Sequence, residues 1–159
     1  SVALKVLKNY REYTGLNGEK IKKSFEKEYI REIEIMEYVT DNCQSESLLK
    51  LIQVYYDVDT TTLCVPLLGC DVFSRIVQSR RFTEADCVTI VRQVVDAVQT
   101  LHHHNICHFD IKLENIVYKK NTPDCTDVVL LDFGLARKAG DFEIPQWPHR
   151  FDKIFGTEY

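Results

Sequence analysis

Methionine and tryptophan occur once each among the 159 residues, proline four times and glycine six times, so no Gly- or Pro-rich linker and no low-complexity stretch breaks the chain. No apolar run approaches the ~20 residues that cross a bilayer, and no charged segment followed by a hydrophobic one opens the sequence. Neither a membrane span nor a secretory leader is therefore expected. A basic surplus is also lacking, since 20 Lys and Arg stand against 24 Asp and Glu for a formal net charge of −4. That balance gives no broad field for nucleic acid or an anionic membrane, and recognition has to come from local patches. Six cysteines are present (Cys43, Cys64, Cys70, Cys87, Cys107, Cys125), but they are widely spaced and form no CxxC pair. In a chain large enough to fold without staples they are expected as reduced thiols of a cytoplasmic protein.

What remains, 45% hydrophobic and 28% charged residues, suits a soluble globular chain with one core. Val2-Ala3-Leu4-Lys5-Val6-Leu7 is a β-type run with no turn before it, so the chain is expected to open inside a strand. Asn9 to Gly18 reads as a loop. From Glu19 to Val39, Ile21, Phe25, Tyr29, Ile33, Met36 and Val39 recur at three or four residues, which predicts a helix. Leu48 to Tyr56 and Thr61 to Leu67 read as strands around the polar turn at Asp57 to Thr60, with Pro66 and Gly69 ending the second. Thr83 is a good N-cap with Glu84 and Asp86 in the first turn, and Val88, Val91, Val94, Val95, Val98 and Leu101 carry a helical stripe to about His102.

The densest chemistry follows that helix. His108-Phe109-Asp110-Ile111-Lys112-Leu113-Glu114-Asn115 is followed, 17 positions after Asn115, by Asp132-Phe133-Gly134. Two short apolar strands, Ile116 to Tyr118 and Val128 to Leu131, flank the turn-rich Asn121-Thr122-Pro123-Asp124. Folding that hairpin would set Asn115 beside Asp132. One short stretch then supplies a base (Asp110), a cation for a transferring phosphoryl group (Lys112) and two hard oxygen ligands for magnesium (Asn115, Asp132). His104 and His108 stand four apart, but no cysteine or acid completes a tetrahedral metal site, so a helix end and a structural loop histidine are expected.

These motifs resemble the catalytic and magnesium loops of protein kinases, and the resemblance covers nearly all of the chain. It implies an α+β, two-lobe kinase-like fold truncated at both ends, with residues 1–68 as part of the small lobe and 69–159 as part of the helical lobe through the activation loop. The Gly-rich phosphate-covering loop and the Ala-Pro-Glu motif are not among these residues, and the piece is not expected to work alone. Lys5, ending Val2-Ala3-Leu4-Lys5, would contact the α- and β-phosphates with a helix glutamate as its partner. Glu32 is the choice, from Glu32-Ile33-Glu34-Ile35-Met36, and Glu28 on the same helical side remains the alternative. Ala3 and Val117 would sandwich the adenine, the Val65 carbonyl and the Leu67 N–H would meet its edge, Asp71 would meet the ribose, and Glu114 joins the nucleotide set. Thr157 would hydrogen-bond Asp110 and Lys112.

Lys112, two residues past the base, resembles the serine/threonine kinases. Most of the family has arginine where this chain has Phe109, and phenylalanine cannot pair with an activation-loop phosphate. His108-Phe109-Asp110, with Ile154-Phe155-Gly156-Thr157, is similar to the death-associated protein kinases, within the calcium/calmodulin-regulated and myosin-light-chain kinase group. The implied cofactors are ATP and Mg2+, and the implied partners are a protein substrate with Ser or Thr and a calmodulin-binding regulatory segment absent from this chain. Leu113 in place of the usual proline loosens the catalytic loop, and Pro145 to Arg150 enlarge the activation loop. Phe109, Leu113 and the missing Gly-rich loop also motivate an alternative, a non-catalytic kinase-like interaction domain.

Overall fold

A computed structural model describes residues 1–14, 20–24, 26–79 and 82–139. The opening run forms β1 (Val2–Lys8), and the first sheet is antiparallel in the order β1, β5 (Thr60–Pro66), β4 (Gln53–Tyr56). Its register sets Ala3 against Val65 and Lys5 against Leu63. Strand alternation decides what each face carries. Val2, Leu4 and Val6 point outward and are exposed, while Leu7 and Leu63 enter the core with Ile33, Met36 and Val39 of α1 (Glu26–Asn42).

Ahead of α1 the sequence expectation fails. Tyr10–Thr14 and Lys20–Ser24, where the sequence pattern predicts loop and helix, form β2 and β3 of a hairpin, and the helix starts only at Glu26. Ile21 fits both a helical and an alternating pattern. Pairing decides between them, because the register sets Glu12 opposite Lys22 and gives both strands a backbone partner. The strand expected from Leu48 is also shorter. Residues 48–52 precede β4, and Lys50 Nζ donates to the Val39 carbonyl at 2.7 Å and to the Cys43 carbonyl, closing the end of α1.

Helix α2 (Val72–Ser79) was not anticipated, yet its start is encoded locally. Asp71 Oδ1 accepts the Ser74 N–H at 2.7 Å, the bond of an N-cap aspartate. Helix α3 (Glu84–His103) starts on the Thr83 cap as expected, in a capping box with Asp86. Its single predicted stripe splits in two. Ile90, Ala97 and Leu101 are buried with Val94 and Val98 against them, whereas Val88, Val91 and Val95 are exposed on the other side. It is not a membrane span, and no helix among the described residues is long and apolar enough for one.

The second centre is the hairpin of β7 (Ile116–Tyr118) and β8 (Val128–Leu130), all six residues buried. Both of its edges are taken. Leu130 exchanges backbone hydrogen bonds with Ser47 and Leu49, and Tyr118 exchanges them with Gly69 and Cys70. The chain between sheet and helices is thereby clamped onto the hairpin from both sides. Gly69 is required there, since a Cβ on it would lie 2.8 Å from the Lys120 carbonyl carbon. A last short pair joins β6 (Ile106–Cys107) to β9 (Arg137–Lys138), and the fold is α+β.

Candidate active site

Lys5 and Glu32 are 27 residues apart and meet because α1 packs on the face of the sheet that carries Lys5. Lys5 Nζ lies 2.5 Å from Glu32 Oε1 and 3.6 Å from Asp132 Oδ1. Burial alone would lower the Lys5 pKa, but the carboxylates of Glu32 and then Asp132 outweigh it, and the ammonium is held above its ordinary value. Glu32 is 5% exposed, so of the crowded glutamates on α1 it is one that the core surrounds. The side chain of Glu28 lies outside the described residues.

The loop after α3 is organised by His108, which is 3% exposed. Its Nε2 is 2.8 Å from the Leu131 carbonyl and its Nδ1 is 3.2 Å from the Asp110 N–H. Only a neutral ring with the proton on Nε2 satisfies both contacts. Burial lowers the pKa of the imidazole accordingly. The ring also rests on the fully buried Phe133, with centroids 5.4 Å apart. A single histidine thus joins the loop carrying Asp110 to the loop carrying Asp132.

Asp110 Oδ2 is 3.0 Å from Lys112 Nζ and accepts the Asn115 amide N–H at 2.9 Å. The same amide donates to the Asp110 backbone carbonyl at 2.9 Å. The bond from Asp110 is the first cause of a raised Lys112 pKa. A 3-10 turn over Leu113–Asn115 makes this compact arrangement, and the Leu131 N–H donates to the Asn115 carbonyl at 2.8 Å, which brings Asn115 alongside Asp132. Phe109 and Asp132 sit in the left-handed region, at φ 64° and 63°. Such backbone costs on the order of 1 kcal/mol or more per residue and survives where surrounding contacts over-determine it. Gly134 lets Asp132 keep its orientation. Its N–H donates to Asp132 Oδ1 at 3.3 Å, and a Cβ would stand 3.2 Å from that oxygen.

The donor chemistry fits magnesium. The Asn115 amide nitrogen is committed to Asp110, which turns Oδ1 into the ligand-capable end, and the Asp132 side chain is 45% exposed. No group of three His, Cys, Asp or Glu gathers to hold a metal among the described residues. Two oxygens completed by phosphates is the usual magnesium pattern, whereas an all-protein cage would need more ligands.

The nucleotide side is less uniform. Ala3 and Val65 are cross-strand partners, and Val117 is buried beside Asp71 through a backbone bridge. The Leu67 N–H donates to the Ser1 carbonyl at 3.3 Å, so an adenine edge would have to replace that long bond. Both Asp71 oxygens accept from Ser74, and these bonds outweigh burial to hold the carboxyl below its ordinary value. Glu114 is exposed, and Thr157 lies outside the described residues. The sequence signal missed here is Asp71-Val72-Phe73-Ser74, an aspartate N-cap pattern.

The protein kinase domain family matches residues 2–158. The chain belongs to the protein kinase family. A probable myosin light chain kinase of Dictyostelium discoideum is 34% identical over 112 residues, 70% of this chain and 28% of that protein. A second such kinase of the same organism is 39% identical over 113 residues, covering 70% and 35%. A calcium/calmodulin-dependent protein kinase type 1 of Macrobrachium nipponense is 33% identical over 95 residues, covering 59% and 27%. The chain therefore spans little more than a third of these kinases at most.

Proposed function

We propose that the protein transfers the γ-phosphoryl group of Mg-ATP to a serine or threonine hydroxyl of a protein. The observation that carries this is the convergence on two loops of Lys5 with Glu32 and Asp132, and of Asp110 with Lys112 and Asn115. The kinase family uses ATP and magnesium in general. Here Asn115 and Asp132 would hold the metal, and Lys5, fixed by Glu32, would meet the α- and β-phosphates. Ala3, Val65, Leu67, Asp71, Glu114 and Val117 would hold the nucleoside. When bound, Mg-ATP supplies an electrophilic phosphoryl group. Asp110 orients the acceptor hydroxyl and takes its proton, while Lys112 places a positive charge where negative charge builds up. Serine or threonine is favoured over tyrosine by Lys112 and by relatives that are named serine/threonine-protein kinases.

Asp110→Asn in the full-length protein should lower phosphate transfer to protein serine or threonine on the order of 10³-fold, a loss of several kcal/mol of transition-state stabilisation. Unchanged transfer in that variant would sink the assignment. Folded wild-type protein that binds no nucleotide with magnesium would instead point to an interaction domain. Control by calcium-loaded calmodulin belongs to the same proposal, suggested by the relatives' names, and the same assay with and without it reads that control. A cytoplasmic place is also proposed, in keeping with six free cysteines, and imaging of the tagged protein tests it.

A further inference from the structure

Lys5 touches two carboxylates that arrive on separate arms, Glu32 on α1 and Asp132 on the segment leading to β9. Six residues farther along each arm, the two meet again. Lys138 Nζ lies 3.8 Å from the centroid of the Tyr38 ring, within cation–π range. Tyr38 is tied on its other side to the end of α3. Its ring meets His104 edge-on at 5.8 Å, and its hydroxyl is 3.4 Å from His104 Nδ1. Lys138 is in turn held by pairing with Ile106, and the Ala139 N–H donates to the Asn105 carbonyl at 2.6 Å. Lys5, Glu32, Tyr38, Lys138 and Asp132 therefore close a ring, with an ionic node at Lys5 and a cation–π node at Tyr38.

We infer that Tyr38 and Lys138 are positioning residues that fasten the two arms together, so that Glu32 and Asp132 are presented to Lys5 at one time. One fastening leaves each arm free to pivot about it. Two fix the separation, and the second lies where neither arm touches the reacting groups. The inference deepens the proposed phosphoryl transfer and rests on it for its effect on turnover, but the fastening itself is a property of the fold.

The test uses the full-length protein with Tyr38→Leu, Lys138→Met, both together, and the conservative Tyr38→Phe and Lys138→Arg. Each disruptive change should lower kcat about 5-fold, the scale of one cation–π contact. The double variant should be no worse than either single one, and the conservative variants, which keep a ring face and a cation, should retain most of the turnover. Losses that multiply in the double variant, or Lys138→Arg as poor as Lys138→Met, would overturn the inference. Hydrogen exchange provides a readout independent of catalysis. Lys138→Met should speed exchange of the α1 amides from Ile33 to Asn42 while leaving α3 unchanged, although Lys138 is on neither helix. Unchanged α1 exchange overturns the fastening whatever the turnover. Faster α1 exchange in a protein that transfers no phosphate would retain the fastening and reject the catalytic proposal.

Discussion

His108 shows how one side chain serves both loops of the site. It is buried and neutral, donating to the Leu131 carbonyl and accepting from the Asp110 N–H, and protonation would put a hydrogen on the nitrogen that accepts. Its folded-state pKa lies below the ordinary 6.5, with burial the first cause. The unfolded chain therefore binds the proton more readily, and stability falls as pH drops below about 6.5. For one group the slope is at most about 1.4 kcal/mol per pH unit. His108→Gln, which can still donate and accept but does not titrate, should flatten the loss of stability between about pH 7 and about pH 5 in denaturant unfolding. An equal slope in both proteins would show that other groups cause it. The candidate site itself was legible in the sequence, because Asp110, Asn115 and Asp132 sit at fixed offsets in motifs whose chemistry would demand them, and the fold brings their loops together. His108 was legible as a structural loop histidine but its partner was not, and Tyr38 was not legible at all, since the partners lie 23 and 66 residues away.

At the scale of elements, local signals succeeded where the cap was local. Thr83 bonds Asp86 through backbone and side chain, and α3 starts where the sequence says it should. Thr83→Ala should destabilise the folded protein by about 1 kcal/mol through loss of both halves of the box, and Thr83→Ser should recover most of it. A thermal scan of the three proteins checks this, and equal midpoints would mean that tertiary packing alone sets the helix start. The stretch before α1 misled for the converse reason. Helical periodicity from Ile21 onward is genuine as far as Val39, but β2 and β3 are defined by a pairing between segments, which a single periodicity cannot show. Of the α3 stripe, periodicity gave the helix and not its packing. Val88, Val91 and Val95 repeat as regularly as the buried residues and yet face outward.

Across the whole molecule, sheet and helices are joined at the β7–β8 hairpin, where Ser47 and Leu49 flank one edge and Gly69 and Cys70 the other. Lys5 and Glu32 come from one side of that junction and Asp110 and Asn115 from the other, so its geometry sets the distance between the Lys5–Glu32 pair and the Asp110–Asn115 pair. Gly69 is the tightest point. Its N–H donates to the Tyr118 carbonyl at 2.7 Å, and a Cβ there would stand 2.8 Å from both the carbon and the oxygen of the Lys120 carbonyl. Both groups in the contact are backbone, so neither can move aside by changing rotamer. Gly69→Ala should therefore cost about 1–3 kcal/mol, the usual scale of overpacking, by pushing the turn after β7 away from the connection to α2. The change should appear as a lower denaturant midpoint with an unaltered slope, since the surface exposed on unfolding is the same. Unchanged stability with alanine would mean that the two segments part easily, and that the hairpin is not the rigid link between the halves of the site.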